Sequence, residues 1–181
     1  MIVFHGSNSN FNKLRIGKNL VKHRSTLDNE GISIYFSTDI DVAKMYGKYI
    51  YILEINNKYL LDFRNAYVCR KYINLIRTKI LKEFNVDIFK YIESPEHLIL
   101  RMKLGGQTIC GVGHEIYMLL DSNESWYQLS KTKIEKIYKK LRSFDKNYLK
   151  AYMFNYHIPN VGVIKDVSDD VVTIKEKIKI Y

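Results

Sequence analysis

The sequence predicts an α+β fold in a single domain spanning residues 1–181, and three observations carry that prediction. Short β-favouring runs gather at the two ends of the chain. Apolar residues at helical spacing fill the middle, from about 65 to 157. Strand-like and helix-like segments do not alternate regularly, as they would in a doubly wound parallel sheet.

The elements follow in order. Ile2-Val3-Phe4-His5 reads as a first strand that stops at the turn Gly6-Ser7-Asn8-Ser9-Asn10 and leaves His5 at the strand end. A polar, basic segment to Glu30 follows as a long loop with Phe11, Leu14 and Ile16 as anchors. From Ile32 to Ser37 apolar and polar residues alternate, and Thr38-Asp39 ends the run, with Asp39 placed to cap a helix. In that helix Val42, Ala43 and Tyr46 share a face, so Tyr46 and the strand residue Tyr35 are placed to flank one cleft. Lys48 to Leu61 alternates as a strand with a turn or bulge at Asn56-Asn57, closing at Asp62.

The period then changes. Val68, Tyr72, Leu75, Ile76, Ile80 and Leu81 predict a helix that breaks at Asn85, and Pro95 opens another over 96–103 that ends at Gly105-Gly106. Ile116, Leu119 and Leu120 form a further apolar face. Ile134, Ile137, Tyr138 and Leu141 predict a lysine-rich amphipathic helix, and Tyr148, Tyr152 and Met153 a last helix before Pro159. Val161 to Ile164 is a compact strand. Asp169-Asp170 introduces Val171 to Ile174, and Lys175 to Tyr181 alternates Lys with Ile as a half-exposed terminal strand.

Composition narrows the chemistry. Two distant cysteines, Cys69 and Cys110, have no Cys or His at ligand spacing, so neither a disulfide framework nor a metal site is indicated and a reducing cytoplasm is the expected setting. The opening residues lack a basic region followed by an apolar stretch, and no run is long enough to span a membrane, so neither a leader nor a membrane partner is expected. The net charge of +10 suits a polyanion or an anionic small ligand, but the lysines are spread along the chain without an arginine cluster. His114 and His157 lack a triad-like context, which argues against a hydrolase. With fifteen tyrosines, core rings are the plainer account of Tyr35 or Tyr46 taken singly.

Taken together, Phe4-His5-Gly6-Ser7, then Gly31-x-x-Ile34-Tyr35-Phe36-x-x-Asp39, then Ala43-x-x-Tyr46, and an acid directly before a β-run near the C-terminus resemble the His-Tyr-Glu class of ADP-ribosyltransferases. This class includes diphtheria-toxin-like toxins and the poly(ADP-ribose) polymerases. The matched motifs cover about the first 60 and the last 25 residues. The resemblance implies a split antiparallel β-sandwich with NAD in the cleft and a helical insertion at about 65–157. It implies a mono-ADP-ribosyltransferase that releases nicotinamide and modifies a macromolecular acceptor, protein before nucleic acid, as a toxin, effector or phage-encoded modifier. The alternatives are an inactivated relative that binds NAD or a partner without turnover, and a nucleic-acid-modifying transferase.

Roles carry over residue by residue. His5 would hold a ribose hydroxyl, the Gly6 backbone would grip the carboxamide, and Tyr35 and Tyr46 would sandwich the nicotinamide, with Ser7, Phe36 and Ala43 completing the cofactor site. Asp170 stands where the class has its catalytic Glu, one methylene short, and Asp166, Asp169 and Glu176 are the other candidate acids. Ala43 replaces a serine found in the polymerases. The chemistry is consistent with these residue types: nicotinamide loss leaves an oxocarbenium-like ribose, which a carboxylate stabilises, while aromatic faces hold the cationic ring.

Overall fold

The N-terminal strand β1 (Ile2–Ser7) pairs along its whole length with β3 (Tyr49–Ile55), Ile2 opposite Glu54 and Ser7 opposite Tyr49. This antiparallel pair anchors a seven-stranded sheet in a computed structural model that describes residues 1–16, 33–90, 94–104, 129–155 and 158–180. The chain divides into two units, one of Met1–Asp62 with Leu149–Tyr181 and the other of Phe63–Tyr148.

The first unit holds the whole sheet. With β2 (Ile34–Ser37), β4 (Leu60–Asp62), β5 (Ala151–Phe154), β6 (Val161–Ile164) and β7 (Val172–Lys179), the order is β4-β5-β6-β2-β1-β3-β7. Alternation selects one buried face, on which Val3, Ile34, Phe36, Tyr51, Leu53, Ile55, Met153, Ile164 and Val172 form a continuous apolar cluster. The fold is α+β. The expected antiparallel sheets are here one mixed sheet, because β4 and β5 run parallel and β1 still touches β2. That contact is a single residue pair, Phe4 opposite Ser37, whereas every other neighbouring pair of strands shares at least three.

Helix α1 (Ile40–Lys44) begins where the sequence places it: Asp39 is extended and its carboxylate accepts from the Asp41 amide. In the second unit α2 (Ala66–Phe84) is capped by Asn65 and stops at Asn85, which adopts the left-handed conformation that asparagine tolerates. Helices α3 (Pro95–Leu104) and α4 (Lys131–Tyr148) follow, and α4 buries Ile134, Ile137, Leu141 and Phe144 along one stripe. The expected face at Ile116, Leu119 and Leu120 lies outside the described residues.

The helix expected through Tyr148, Tyr152 and Met153 is a correction. Helix α4 ends at Tyr148, and Ala151–Phe154 is strand β5, buried on both faces between β4 and β6. A four-residue apolar run buried on both sides shows neither helical nor strand period, so its neighbours in the sheet decide its conformation. No helix among the described residues is long and apolar enough to cross a membrane.

Candidate functional site

Beyond the pair Phe4–Ser37 strands β1 and β2 separate, so His5 and Gly6 have no ladder partners in Phe36 and Tyr35. His5 closes the top of that opening. Its Nδ1 lies 2.7 Å from the Tyr35 carbonyl oxygen, and since a carbonyl only accepts, Nδ1 carries the proton and Nε2 is the ring's acceptor. Burial pushes the imidazole below its ordinary pKa, with the bond to Tyr35 opposing in part, so the neutral ring is favoured.

The surroundings of His5 come from a segment the sequence showed only as a loop with anchors. Phe11 stacks on Tyr51, ring centroids 3.9 Å apart, and both rings lie tilted beside the imidazole at 6.2 and 6.1 Å. The Tyr51 hydroxyl accepts from the Phe11 amide and donates to the Ser9 carbonyl. Lys177, in line with Tyr51 and His5 across the sheet, donates to Asn10 and Asn12 on either side of Phe11. The alternation of Lys48–Leu61 indicated a strand through Tyr51. No sequence signal reveals that its register sets Tyr51 opposite His5.

On the other face of β1, α1 lies against Gly6. A Cβ at Gly6 would strike the Ala43 carbonyl oxygen and meet the Tyr46 Cβ at 3.1 Å, so only glycine permits this approach. Gly47 presses in the same way on the backbone of Ser7 and Asn8. Ser7 accepts from the Ser9 amide and so shapes the turn. Alternation puts Tyr35 on the face of Gly6, since Ser37 pairs with Phe4. Tyr35 and Tyr46 thus stand on the same face, on the β2 and β1 sides of the opening, 40% and 58% exposed. Phe36 points the opposite way into the core, with Gly162 beneath its ring.

The candidate acids are not brought to this opening. Val172 pairs with Ile55, four rows along β3 from Tyr51, so Asp170 lies roughly 13 Å or more along the strands from His5 at about 3.3 Å per residue. Its backbone carbonyl accepts from Asn56, and its place is a turn at the Met1 end of β1. Asp169 shares that turn. Asp166 is committed to Lys150 at 2.9 Å and to the Ser168 amide, which hold its carboxyl down at about 2. Glu176 is level with Ile52 and Phe4, but two strand spacings, about 10 Å, separate its backbone from that of β1. On the β2 side the flanking strand presents Val161 opposite Ser37, and Asn160 accepts from the Thr38 amide.

No family model, curated protein or solved structure matches the chain. Among the described residues no group of His, Cys, Asp and Glu could hold a metal ion. The opening presents two partly exposed aromatic residues, an imidazole whose neutral form is favoured and the Gly6 backbone, which has no ladder partner in β2.

Proposed function

We propose that the sheet unit binds NAD at the opening between β1 and β2, with the nicotinamide ring held between Tyr35 and Tyr46. The observation that carries this reading is the single-pair junction at Phe4–Ser37, with Gly6, Ala43 and Tyr46 packed on one side and Tyr35 on the other. The Gly6 backbone, which faces the β2 side without a ladder partner there, suits a carboxamide, which needs one donor and one acceptor. Nε2 of a neutral His5 suits a ribose hydroxyl. Two aromatic rings suit a flat cation.

Transfer of ADP-ribose to a macromolecular acceptor asks for more. The positive charge that develops on the ribose needs a carboxylate aimed at it. Asp170 and Glu176 both have their backbones about 10 Å or more from β1, so recognition of NAD without turnover is the reading this geometry supports best.

Titration calorimetry with NAD, paired with an assay of nicotinamide release, tests both halves. The expected result is saturable binding, weakened tenfold or more by Tyr46→Ala, with release at the rate of NAD alone. Absence of binding at millimolar NAD overturns the site. Enzyme-dependent release that disappears in Asp170→Asn or Glu176→Gln overturns the non-catalytic reading and establishes the transferase.

A further inference from the structure

Helix α4 (Lys131–Tyr148) carries its charge unevenly and contributes no residue to the opening described above. At 100° per residue, Lys136, Lys139, Arg142 and Lys146 fall within a wedge of about 120°, opposite the buried stripe of Ile134, Ile137, Leu141 and Phe144. All four are exposed. Glu135 is the one exposed acid on the helix, since Asp145 is buried and accepts from the Tyr72 hydroxyl. The carboxylate that reaches α4 from α2, Glu83, pairs with Lys140 and leaves the stripe alone. Glu135 falls inside the same wedge, four residues before Lys139, and offsets one of the four charges; the remaining like charges three and four residues apart weaken a helix, so the stripe is still a net cost to folding.

We propose that this stripe is a docking surface for the phosphate backbone of a nucleic acid. The four cations span about 15 Å of helix axis, which matches roughly four nucleotides at 3.4 Å rise each. An anionic membrane is the other polyanion such a helix could meet, and the structure argues against it. Interfacial helices insert their apolar face into lipid, whereas the apolar face of α4 is already buried in its own unit. The surface is independent of the NAD reading, and either can fail without the other.

The test is fluorescence anisotropy of the full chain with labelled 20-nucleotide single strands and duplexes between 50 and 300 mM KCl. Two variants carry the comparison. One replaces Lys136, Lys139, Arg142 and Lys146 by Gln; the other replaces Lys13, Lys48, Lys58 and Lys175 by Gln and removes the same net charge from the sheet unit. The stripe variant should bind tenfold or more weakly at 100 mM KCl. Its log–log salt slope on single strands should be shallower by about 3, four contacts at about 0.7 each. The sheet-unit variant should stay within about twofold of the parent. Circular dichroism confirms that both fold. No binding at 50 mM KCl overturns the proposal, as do equal losses in the two variants, which would mean diffuse attraction. Sedimentation with vesicles containing 30% phosphatidylserine but no oligonucleotide binding also overturns it, in favour of a membrane.

Discussion

His5 donates from Nδ1 to the Tyr35 carbonyl across the gap where their two strands part. That bond does the work a ladder pair would otherwise do, and since the charged ring would keep its Nδ1 proton, it is burial and not the bond that resists protonation. Burial holds the folded-state pKa below 6.5, so as pH falls below about 6.5 the unfolded chain takes up a proton that the folded ring resists. Stability should therefore decline as pH drops from 6.5 toward the lower folded value. His5→Asn keeps a donor but has nothing to titrate, so its melting temperature should lose that slope. An unchanged slope in the variant would show that another group sets it.

Gly6→Ala and Gly162→Ala separate site from scaffold. Each added methyl meets backbone, the Ala43 carbonyl in one case and the Tyr152 carbonyl with the Phe36 ring in the other. Each should cost about 1–3 kcal/mol of stability by overpacking. At a temperature where both remain folded, only Gly6→Ala should weaken NAD binding, and calorimetry reads the difference. Equal affinities would place the ligand elsewhere.

Lys150 and Asp166 join the start of β5 to the end of β6. The Asp166 carboxyl is held at about 2 against an ordinary 3.8, so its contribution is complete above pH 4 and is lost as pH falls from there toward 2. Lys150→Met should flatten the acid limb of the stability curve in that window and lower the plateau above pH 4 by the same amount, a modest one since the pair is partly exposed. Acid titration followed by fluorescence measures this.

In the helical unit, the Tyr72 hydroxyl donates to Asp145 at 2.7 Å in a buried setting. Tyr72→Phe removes this donor from a buried carboxylate. Urea unfolding should show a loss of about 1–3 kcal/mol. Asp145→Asn, which keeps an acceptor, should lose less.

Much of this fold was legible because its signals are local. Asp39 and Asn65 cap helices and Asn56 shapes the turn between β3 and β4 through side chains acting within a few residues, and Asn85 stops a helix through its left-handed backbone. Cap and turn chemistry can be seen in a window of four or five residues. Register cannot. Which β7 residue faces His5 depends on how Val172–Lys179 slides along β3, including the irregularity between Ile52 and Leu53, and that long-range pairing is what removed Asp170 from the opening. For the same reason the predicted positions at the start of the chain lie near one another and the acids do not. Gly6, Ala43 and Tyr46 meet through one short strand-to-helix contact next to His5 in sequence, whereas an acid had to arrive from the far end of the chain. Strand β5 was missed because four buried apolar residues have no polar phase to read.

Strands β4 and β5 run parallel, Leu60 beside Ala151 and Asp62 beside Met153. Antiparallel neighbours can be sewn together with two residues, but parallel ones need a return journey of a dozen or more. The stretch from Phe63 to Tyr148 is that return journey, so it cannot be pruned to a tight loop in a minimised version of the protein. Too short a replacement would pull β4 off the sheet and turn β5 into an outer strand. Ala151, Tyr152, Met153 and Phe154, each less than 5% exposed now, would then line a sticky margin open to other chains. Shortened proteins of this design should fail by clumping before they fail by unfolding.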